Sequence, residues 1–444
     1  MLAQEYRRKR VSADEAVKAV KSGDWIEFGW AASMPRLLDE ALARRKEELW
    51  DVKLRGAVLF APLAVIEEDS SAEHFSWNSW HFSGIERKYA QKGLTNYIPI
   101  KYSEVPRYLR ENLRTDVVMI QVAPMDEHGY FNFGVTVSHY AAAIEKAGTV
   151  IVEVNEDMPR VHGGYDYTVH LSKVDFIVEA GHRGLPQLPA ATPSEVDRKI
   201  AEFILPEIED GACIQLGIGG MPSALGRMIA QSDLKDLGVH SEMLADAFVE
   251  MYEAGRVTGR RKKLDPGRIT WSFAAGTTKL YEFMHDNSLL AAYPVDYTNH
   301  PCNASKNDKV VAINGALEVD LFGQVCSETI GPTTISGSGG QLDFIEAAYY
   351  SKGGKGFLCL PSTYEDKEGR VHSRIKPLMT YGSVVTDTRT TVQYVVTEYG
   401  KVNLKGLATW QRAEELISIA HPDFRNELIE EAQKLGIWRR SSKR

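Results

Sequence analysis

Residues 210–222 decide the fold, and they run Asp-Gly-Ala-Cys-Ile-Gln-Leu-Gly-Ile-Gly-Gly-Met-Pro. The apolar run at 213–216 predicts a short buried strand, and the glycines after it predict a tight turn. The order of strand, glycine turn and helix is typical of α/β proteins with largely parallel, buried sheets. Beyond the turn, apolar residues recur at helical spacing, at Ala224, Leu225, Met228 and Ile229.

A similar stretch occurs earlier in the chain, at residues 22–29, Ser-Gly-Asp-Trp-Ile-Glu-Phe-Gly. Pro35 and Leu38 follow it, as Pro222 and Leu225 follow the later copy. Two tandem copies of one α/β fold would produce this repeat. Chance similarity between two units of strand, glycine turn and helix would produce it as well. Strands are also predicted at residues 117–122, 149–154, 357–360 and 391–397.

A proline-rich segment predicts where the two copies are joined. Residues 184–193 contain three prolines and have the composition of a linker. We therefore predict an N-terminal α/β domain at residues 1–188 and a C-terminal α/β domain at residues 189–444. The C-terminal domain then carries the glycine turn that follows residue 216.

Composition and charge exclude several classes of protein. Lys and Arg total 52 against 60 Asp and Glu, and the net charge of −8 argues against general binding to nucleic acid or anionic membranes. An anionic ligand must therefore be held by local groups. The sequence shows neither the apolar run of a secretory signal nor that of a membrane span, so we expect a cytoplasmic protein.

The cysteines and histidines give no sign of a metal centre. The four cysteines, at positions 213, 302, 326 and 359, form no Cys-x-x-Cys pair. No cluster of His, Cys, Asp or Glu has the spacing of metal ligands. We expect reduced thiols and no metal.

The glycine turn at 217–222, Gly-Ile-Gly-Gly-Met-Pro, is a candidate for anion binding. A turn at a helix N-terminus exposes backbone N–H groups that can stabilise a phosphate, a carboxylate or a thioester oxyanion. The residues after it are not those of a P-loop, and the spacing is not that of a dinucleotide fingerprint. A purely structural turn between strand and helix would show the same residues.

Glu242 is the candidate reactive carboxylate. It lies in His240-Ser241-Glu242-Met243, where a strand predicted at 238–243 leads into a helix. Parallel α/β folds place ligands at the carboxyl ends of strands, so we expect Glu242 and the glycine turn to face one cleft. A carboxylate there acts as a base or as a covalent nucleophile. A solvated Glu at a helix N-terminus is the alternative.

Taken together, these stretches resemble the CoA-transferases of the acetyl-CoA hydrolase/transferase family, the family I CoA-transferases, over essentially the whole chain. The most specific motifs are residues 217–222, 240–243, 336–344 and 396–400. The implied fold is two tandem, related open α/β domains with parallel-rich sheets. Four further stretches resemble the members that use butyryl-CoA and acetate; they are residues 74–81, 122–126, 294–299 and 410–414.

The resemblance implies a mechanism in which Glu242 is the nucleophile. It would attack the acyl-CoA thioester, pass through an acyl-glutamyl anhydride and a glutamyl-CoA thioester, and deliver CoA to a second carboxylate in a ping-pong reaction. The expected exchange is butyryl-CoA and acetate to butyrate and acetyl-CoA. The implied CoA-binding residues are Gly217, Ile218, Gly219, Gly220 and Met221, with Gly340 from the second glycine loop and Leu317 on a strand predicted at 310–319.

Three alternatives stay open at this stage. A short-chain acyl-CoA hydrolase would use the same Glu242 but admit water, and 4-hydroxybutyrate is another candidate for the preferred acid. A non-enzymatic CoA-binding protein would keep the glycine loops without needing Glu242. The chain also has Cys326-Ser327-Glu328 where many relatives have Asn-Ala-Glu, which we expect to alter packing or the acyl pocket.

The resemblance also sets the expected partners. Coenzyme A takes part as a substrate, with acyl-CoA and short-chain carboxylates as ligands, and no other cofactor or metal is expected. We expect a homo-oligomer, dimeric or higher, that binds neither nucleic acid nor membrane.

Overall fold

The computed structural model describes residues 2–189 and 191–437. Their contacts divide the chain into two compact units. Unit 1 contains residues 2–189, 241–246 and 268–299, and unit 2 contains residues 191–240, 247–267 and 300–437.

The strands are numbered in chain order. They are β1 Trp25–Phe28, β2 Val52–Gly56, β3 Phe75–Ser79, β4 Thr95–Tyr97, β5 Val117–Val122, β6 Tyr130–Asn132, β7 Thr149–Asn155, β8 Thr168–His170, β9 Phe176–Gly181, β10 Cys213–Leu216, β11 Gly238–His240, β12 Met243–Leu244, β13 Ile269–Trp271, β14 Phe273–Ala274, β15 Leu290–Ala292, β16 Val310–Gly315, β17 Glu318–Asp320, β18 Val325–Cys326, β19 Thr329–Ile330, β20 Thr333–Thr334, β21 Lys355–Cys359, β22 Thr363–Glu365, β23 Val371–Ser373, β24 Ile375–Lys376, β25 Tyr394–Thr397 and β26 Gly400–Asn403.

The α-helices are numbered in the same way. They are α1 Leu2–Lys9, α2 Ala13–Ala16, α3 Arg36–Ala43, α4 Ala64–Glu67, α5 Gly84–Gln91, α6 Val105–Glu111, α7 Tyr140–Lys146, α8 Glu195–Ile204, α9 Gly220–Gln231, α10 Asp246–Glu253, α11 Thr278–Met284, α12 Val295–Thr298, α13 Pro301–Ala304, α14 Gln341–Tyr350, α15 Thr409–Ser418 and α16 Pro422–Lys434.

Unit 1 is built on a seven-stranded sheet in the order β4-β3-β2-β1-β5-β7-β9. Every neighbouring pair in it is parallel. Strand β5 is buried at all of its residues, and apart from Gln121 its sequence is apolar. Leu38 and Leu42 of α3 pack with Ile26 and Leu54 of the sheet in the core of this unit.

Unit 2 repeats the central part of that sheet. Its strands follow the order β11-β10-β16-β21-β25-β26, parallel except for the antiparallel last pair. Strand β10 has β11 and β16 as neighbours, as β1 has β2 and β5. The first strand after the repeated glycine thus holds the same place in both sheets, and the predicted α/β fold with two parallel-rich sheets is confirmed.

Most predicted strands are present within one or two residues. Three differ more: the strands predicted at 238–243 and 310–319 stop at His240 and Gly315, and the strand predicted at 391–397 begins only at Tyr394. The backbone N–H groups of Thr391 and Val392 both donate to the carbonyl of Thr388, so these residues form a turn. Threonines favour strands by their branched side chains, but the local turn takes precedence here.

The compact units divide the chain differently from the predicted domains at two later segments, 241–246 and 268–299, which belong to unit 1. Backbone hydrogen bonds explain why. Ala274 N–H donates to the Val135 carbonyl at 2.7 Å, and Val137 N–H donates to the Ser272 carbonyl at 3.0 Å. Glu242, predicted in the C-terminal domain, therefore lies in unit 1.

The described residues contain neither a membrane-spanning helix nor a cluster of metal ligands. Within residues 2–189 and 191–437, no helix combines the length and the apolar composition needed to cross a membrane. In the same ranges, no three His, Cys, Asp or Glu side chains are grouped as metal ligands would be.

Candidate active site

The chain bends at Glu242, between β11 and β12. The predicted strand at 238–243 therefore ends at His240. The bend is held by the backbone: Ser272 and Phe273 both donate their N–H groups to the carbonyl of Glu242, at 3.0 and 3.1 Å. Ser241 N–H donates to the Thr270 carbonyl at 3.0 Å. The backbone position of this partly buried glutamate is thus fixed by neighbours within unit 1.

The Glu242 carboxylate is bonded to a buried amide. Asn299, which directly follows α12, donates from Nδ2 to Glu242 Oε2 at 2.6 Å. The Asn299 side chain is fully buried, and its N–H donates to the Val295 carbonyl at 2.9 Å. Asn299 Oδ1 is also buried and has no hydrogen-bond partner among the described residues. An amide donor held in this way stabilises negative charge on the carboxyl oxygen.

Aromatic rings of unit 1 surround this region. Trp30 stacks on Tyr102 with ring centres 4.6 Å apart, and Phe273 packs edge-on against both rings. Burial raises the pKa of Tyr102 well above its usual range, and the negative charge of Glu242 raises it further. Tyr102 is therefore a neutral phenol within electrostatic reach of Glu242, in surroundings of low polarity that strengthen such interactions.

The predicted glycine turn lies in unit 2 between β10 and α9. Gly219 is the residue before the helix and has φ 118°, a conformation that glycine adopts without strain. A Cβ at Gly217 or Gly219 would meet no atom within 4 Å, and the Ile218 side chain is 51% exposed. The turn is therefore open at Gly217 and Gly219, whereas a Cβ at Gly220, the first residue of the twelve-residue helix α9, would overlap the Asp197 carboxylate.

Leu317 is not on a continuous strand. Strand β16 ends at Gly315, and Leu317 lies in a bend before β17. Its N–H donates to the Cys326 carbonyl at 2.8 Å, and its carbonyl accepts from Arg374 Nη1 at 2.8 Å. Both backbone polar groups of this candidate CoA-binding residue are thus bonded within unit 2.

Gly340 is buried and directly precedes α14. The next residue, Gln341, donates from Nε2 to Ser327 Oγ at 2.7 Å and to Asp387 Oδ2 at 2.5 Å. Burial raises the pKa of Asp387 to about 6. Ser327 therefore anchors the residue after Gly340. The neighbouring Cys326 places its Sγ 3.2 Å from the Thr329 carbonyl.

Unit 2 brings two of its candidate segments to one sheet edge. Strands β10 and β16 are parallel, and Leu216 lies beside Ile313. The glycine turn after β10 and the bend holding Leu317 after β16 therefore follow the carboxyl ends of adjacent strands. Gln215 and Asn314 link the two strand ends through reciprocal amide hydrogen bonds of 3.1 and 3.3 Å.

Asn299 is the functional candidate that sequence reasoning missed. It is 57 residues from Glu242, and an isolated asparagine after a short helix carries no motif of its own. The only signal is its place at the end of the stretch 294–299, one of the four that carry the more specific resemblance within the family.

Comparisons with known proteins agree with this architecture. Residues 2–189 match the acetyl-CoA hydrolase/transferase N-terminal domain, and residues 276–432 match the corresponding C-terminal domain. The chain is 54% identical to the butyryl-CoA:acetate CoA-transferase of Anaerostipes caccae, covering 99% of both chains. It is 41% identical to the 4-hydroxybutyrate coenzyme A transferase of Clostridium kluyveri, covering 97% of this chain and 98% of the other.

A solved structure extends the likeness to three dimensions. The crystal structure of RipA from Yersinia pestis has a TM-score of 0.89 and 35% sequence identity, with 98% of this chain and 99% of that chain covered. The resemblance inferred from the motifs is thereby confirmed. The chain belongs to the acetyl-CoA hydrolase/transferase family.

Proposed function

We propose that this protein is a CoA-transferase that moves CoA from butyryl-CoA to acetate, with Glu242 as the covalent nucleophile. The observation that carries the proposal is the 2.6 Å hydrogen bond from the buried Asn299 amide to the Glu242 carboxylate. The full-length identity of 54% to a butyryl-CoA:acetate CoA-transferase supports the choice of acids.

The first half-reaction transfers the acyl group and then CoA to the enzyme. A Glu242 carboxylate oxygen attacks the thioester carbonyl, the C–S bond breaks, and an acyl-glutamyl anhydride and CoA thiolate form. The thiolate then attacks the glutamyl carbonyl of the anhydride and releases butyrate, which leaves a glutamyl-CoA thioester. Acetate attacks this thioester, and the same steps in reverse yield acetyl-CoA and regenerate the Glu242 carboxylate.

The surroundings of Glu242 suit the oxyanions of these steps. When the thiolate attacks the glutamyl carbonyl, negative charge develops on a carboxyl oxygen of Glu242. Asn299 Nδ2 already lies within hydrogen-bond distance of Oε2. A preorganised donor of this kind contributes about 3 kcal/mol to transition-state stabilisation.

For CoA we propose two glycine segments of unit 2. The first is Gly217–Met221 before and at the start of α9, where a Cβ at Gly217 or Gly219 would meet open space and backbone N–H groups suit a phosphate or the thioester oxygen. Gly340 would contribute from the start of α14. Leu317 contributes its side chain or neighbouring backbone, since its own N–H and carbonyl are bonded elsewhere.

Trapping of the intermediate tests the nucleophile. The protein is incubated with butyryl-CoA without acetate, treated with borohydride or hydroxylamine, and digested for mass spectrometry. We expect a modification at Glu242 that requires butyryl-CoA, and none in the matched variant Glu242→Gln. Full transfer activity without modification at Glu242 would overturn the covalent mechanism.

The acceptor is tested separately. Initial rates are measured with acetate, propionate, butyrate, hexanoate and 4-hydroxybutyrate, and we expect the highest kcat/KM for a short unsubstituted acid. A maximum at 4-hydroxybutyrate would instead favour the activity of the 41% identical relative. Release of free CoA at the same rate with and without acetate would indicate a hydrolase.

A further inference from the structure

Unit 1 contains a series of buried polar side chains in contact with one another, the polar series, that the proposed reaction does not use. Each of its members is at most 3% exposed. In order of contact they are Arg55, Glu27, His139, Ser138 and Tyr102.

The contacts run without interruption from an ion pair to the phenol near Glu242. Arg55 Nε donates to Glu27 Oε1, and His139 Nε2 is 3.4 Å from Glu27 Oε2. His139 Nδ1 is 2.9 Å from Ser138 Oγ, which also bonds the hydroxyl of Tyr102. Burial opposes the charge of Glu27, but Arg55 and His139 outweigh it and lower the pKa of this carboxyl.

Ser138 lies in the middle of these contacts. Its Oγ is 2.9 Å from His139 Nδ1 on one side and shares a hydrogen bond with the Tyr102 hydroxyl on the other. The Ser138 side chain is thus held from both sides.

Backbone hydrogen bonds of Ser138 connect the polar series to the segments that carry Glu242 and Asn299. Its N–H donates to the Ser272 carbonyl at 3.2 Å, and Ser272 N–H donates to the Glu242 carbonyl at 3.0 Å. Its own carbonyl accepts from Val295 N–H at 2.9 Å, and the Val295 carbonyl accepts from Asn299 N–H at 2.9 Å. One residue therefore bonds the segments that carry the carboxylate and its amide donor.

Ser138 also has an unfavourable backbone conformation. Its φ is 42°, in the left-handed region that non-glycine residues rarely adopt. Such a conformation persists only where the surroundings enforce it, and it is most common near functional sites. The hydroxyl bonds to Tyr102 and His139 are the side-chain contacts that enforce it here.

We propose that Ser138 is a positioning residue that sets the placement of Asn299 against Glu242, and that the Arg55–Glu27–His139 group and Tyr102 hold it in place. The inference rests on the proposed function, since it assigns Glu242 the reacting role. It adds residues that touch neither substrate nor the reacting atoms.

The test compares two buried phenols. Tyr102→Phe removes the hydroxyl that bonds Ser138 while keeping the ring on Trp30. Tyr140→Phe is the matched control, because Tyr140 is equally buried, its ring against His139 is kept, and only a hydroxyl that bonds Ser33 at 2.5 Å is removed. We expect Tyr102→Phe to lower kcat and the rate of trapping at Glu242 by about 10-fold to 100-fold, with KM for butyryl-CoA nearly unchanged. Tyr140→Phe should change the melting temperature but not kcat.

Two serine variants separate the hydroxyl from the backbone. Ser138→Gly relieves the left-handed backbone but loses the hydroxyl, and Ser138→Ala loses the hydroxyl and keeps the strain. We expect both to lower kcat as Tyr102→Phe does. Retention of wild-type kcat in Ser138→Gly and Tyr102→Phe would overturn the proposal.

The remaining outcomes are also decisive. If Tyr102→Phe does not fold, Glu27→Gln, which keeps the side-chain size and removes the charge facing His139, must show the same loss of kcat without a rise in KM. Wild-type kcat in Glu27→Gln would then reject the inference. Absence of trapping in the wild-type protein would reject the proposed function instead, so the two failures are distinguishable.

Discussion

The segment at Glu242 and the glycine turn differ in how closely neighbouring groups approach them. The Glu242 carbonyl accepts two N–H groups and its side chain accepts an amide, whereas Gly217 and Gly219 have open space on the side where a Cβ would lie. A group that must react in one geometry gains from fixed partners. A backbone that receives a large ligand gains from having its N–H groups free.

The second glycine loop lies between these extremes. Gly340 is buried, and the residue after it is tied to Ser327 and Asp387 through two hydrogen bonds. Unit 2 thus offers one open and one anchored glycine segment. Substitutions in the three regions should therefore differ in what they change, reaction rate, stability or ligand affinity.

The largest effect is expected from removing the amide at Glu242. Asn299→Ala leaves the carboxylate without its buried donor, so kcat should fall by about 10²-fold to 10³-fold. Steady-state kinetics with butyryl-CoA and acetate measure this. Asn132→Ala is the control, because Asn132 is also buried in unit 1 but bonds Val161 and Gly134. An equal fall of kcat in both variants would contradict a specific role of the Asn299 amide.

The free energy of unfolding should depend on pH through the carboxyl of Asp387, which accepts a hydrogen bond from Gln341 next to Gly340. The pKa of Asp387 is about 6 against an ordinary value of 3.8, so the folded protein binds more protons between these values. Its contribution is present at low pH and is lost as pH rises through 6, by about 3 kcal/mol at most. Urea unfolding at pH 4 to 7 should show a flatter pH profile for Asp387→Asn than for the wild-type protein. An unchanged slope would contradict the raised pKa.

Two alanine substitutions in the glycine turn should distinguish an effect on stability from an effect on CoA binding. A Cβ in Gly220→Ala would overlap the Asp197 carboxylate, which is held by Ser194, so we expect a loss of about 1 to 3 kcal/mol. Gly217→Ala meets no atom and should change stability by less than about 0.5 kcal/mol. Because we propose that the turn binds CoA, Gly217→Ala should still raise KM for butyryl-CoA. Equal destabilisation by both variants would show that the turn is not open.

The smallest effect is expected from substituting Ser327. Ser327→Ala removes one of two acceptors of Gln341 Nε2, and Asp387 keeps the other, so the cost should be about 1 kcal/mol. Thermal unfolding measures this. The same substitution made in Asp387→Asn tests whether the two bonds are coupled, and strict additivity would argue that they do not share the Gln341 amide.

The strands of the central sheets were predictable because buried parallel strands are continuous apolar runs, as at 117–122 and 213–216. The motif around Glu242 could likewise be found, since its residues are adjacent in sequence. The contact between Asn299 and Glu242 and the polar series from Arg55 to Tyr102 could not be predicted, because these residues are far apart in sequence and meet only on folding. The bend at Leu317 could not be predicted either, because it depends on a hydrogen bond that Leu317 N–H donates to the Cys326 carbonyl and on one that its carbonyl accepts from Arg374.

The membership of residues 241–246 and 268–299 in unit 1 has a consequence for protein synthesis. Carbonyl and N–H groups of Val135 and Val137 find their partners at Ala274 and Ser272. A ribosome that has completed the seven-stranded sheet has therefore not yet made all of unit 1. Domains often fold from the N-terminus during translation, but this one is complete only once residue 299 has emerged, and Glu242, the proposed nucleophile, is placed only then.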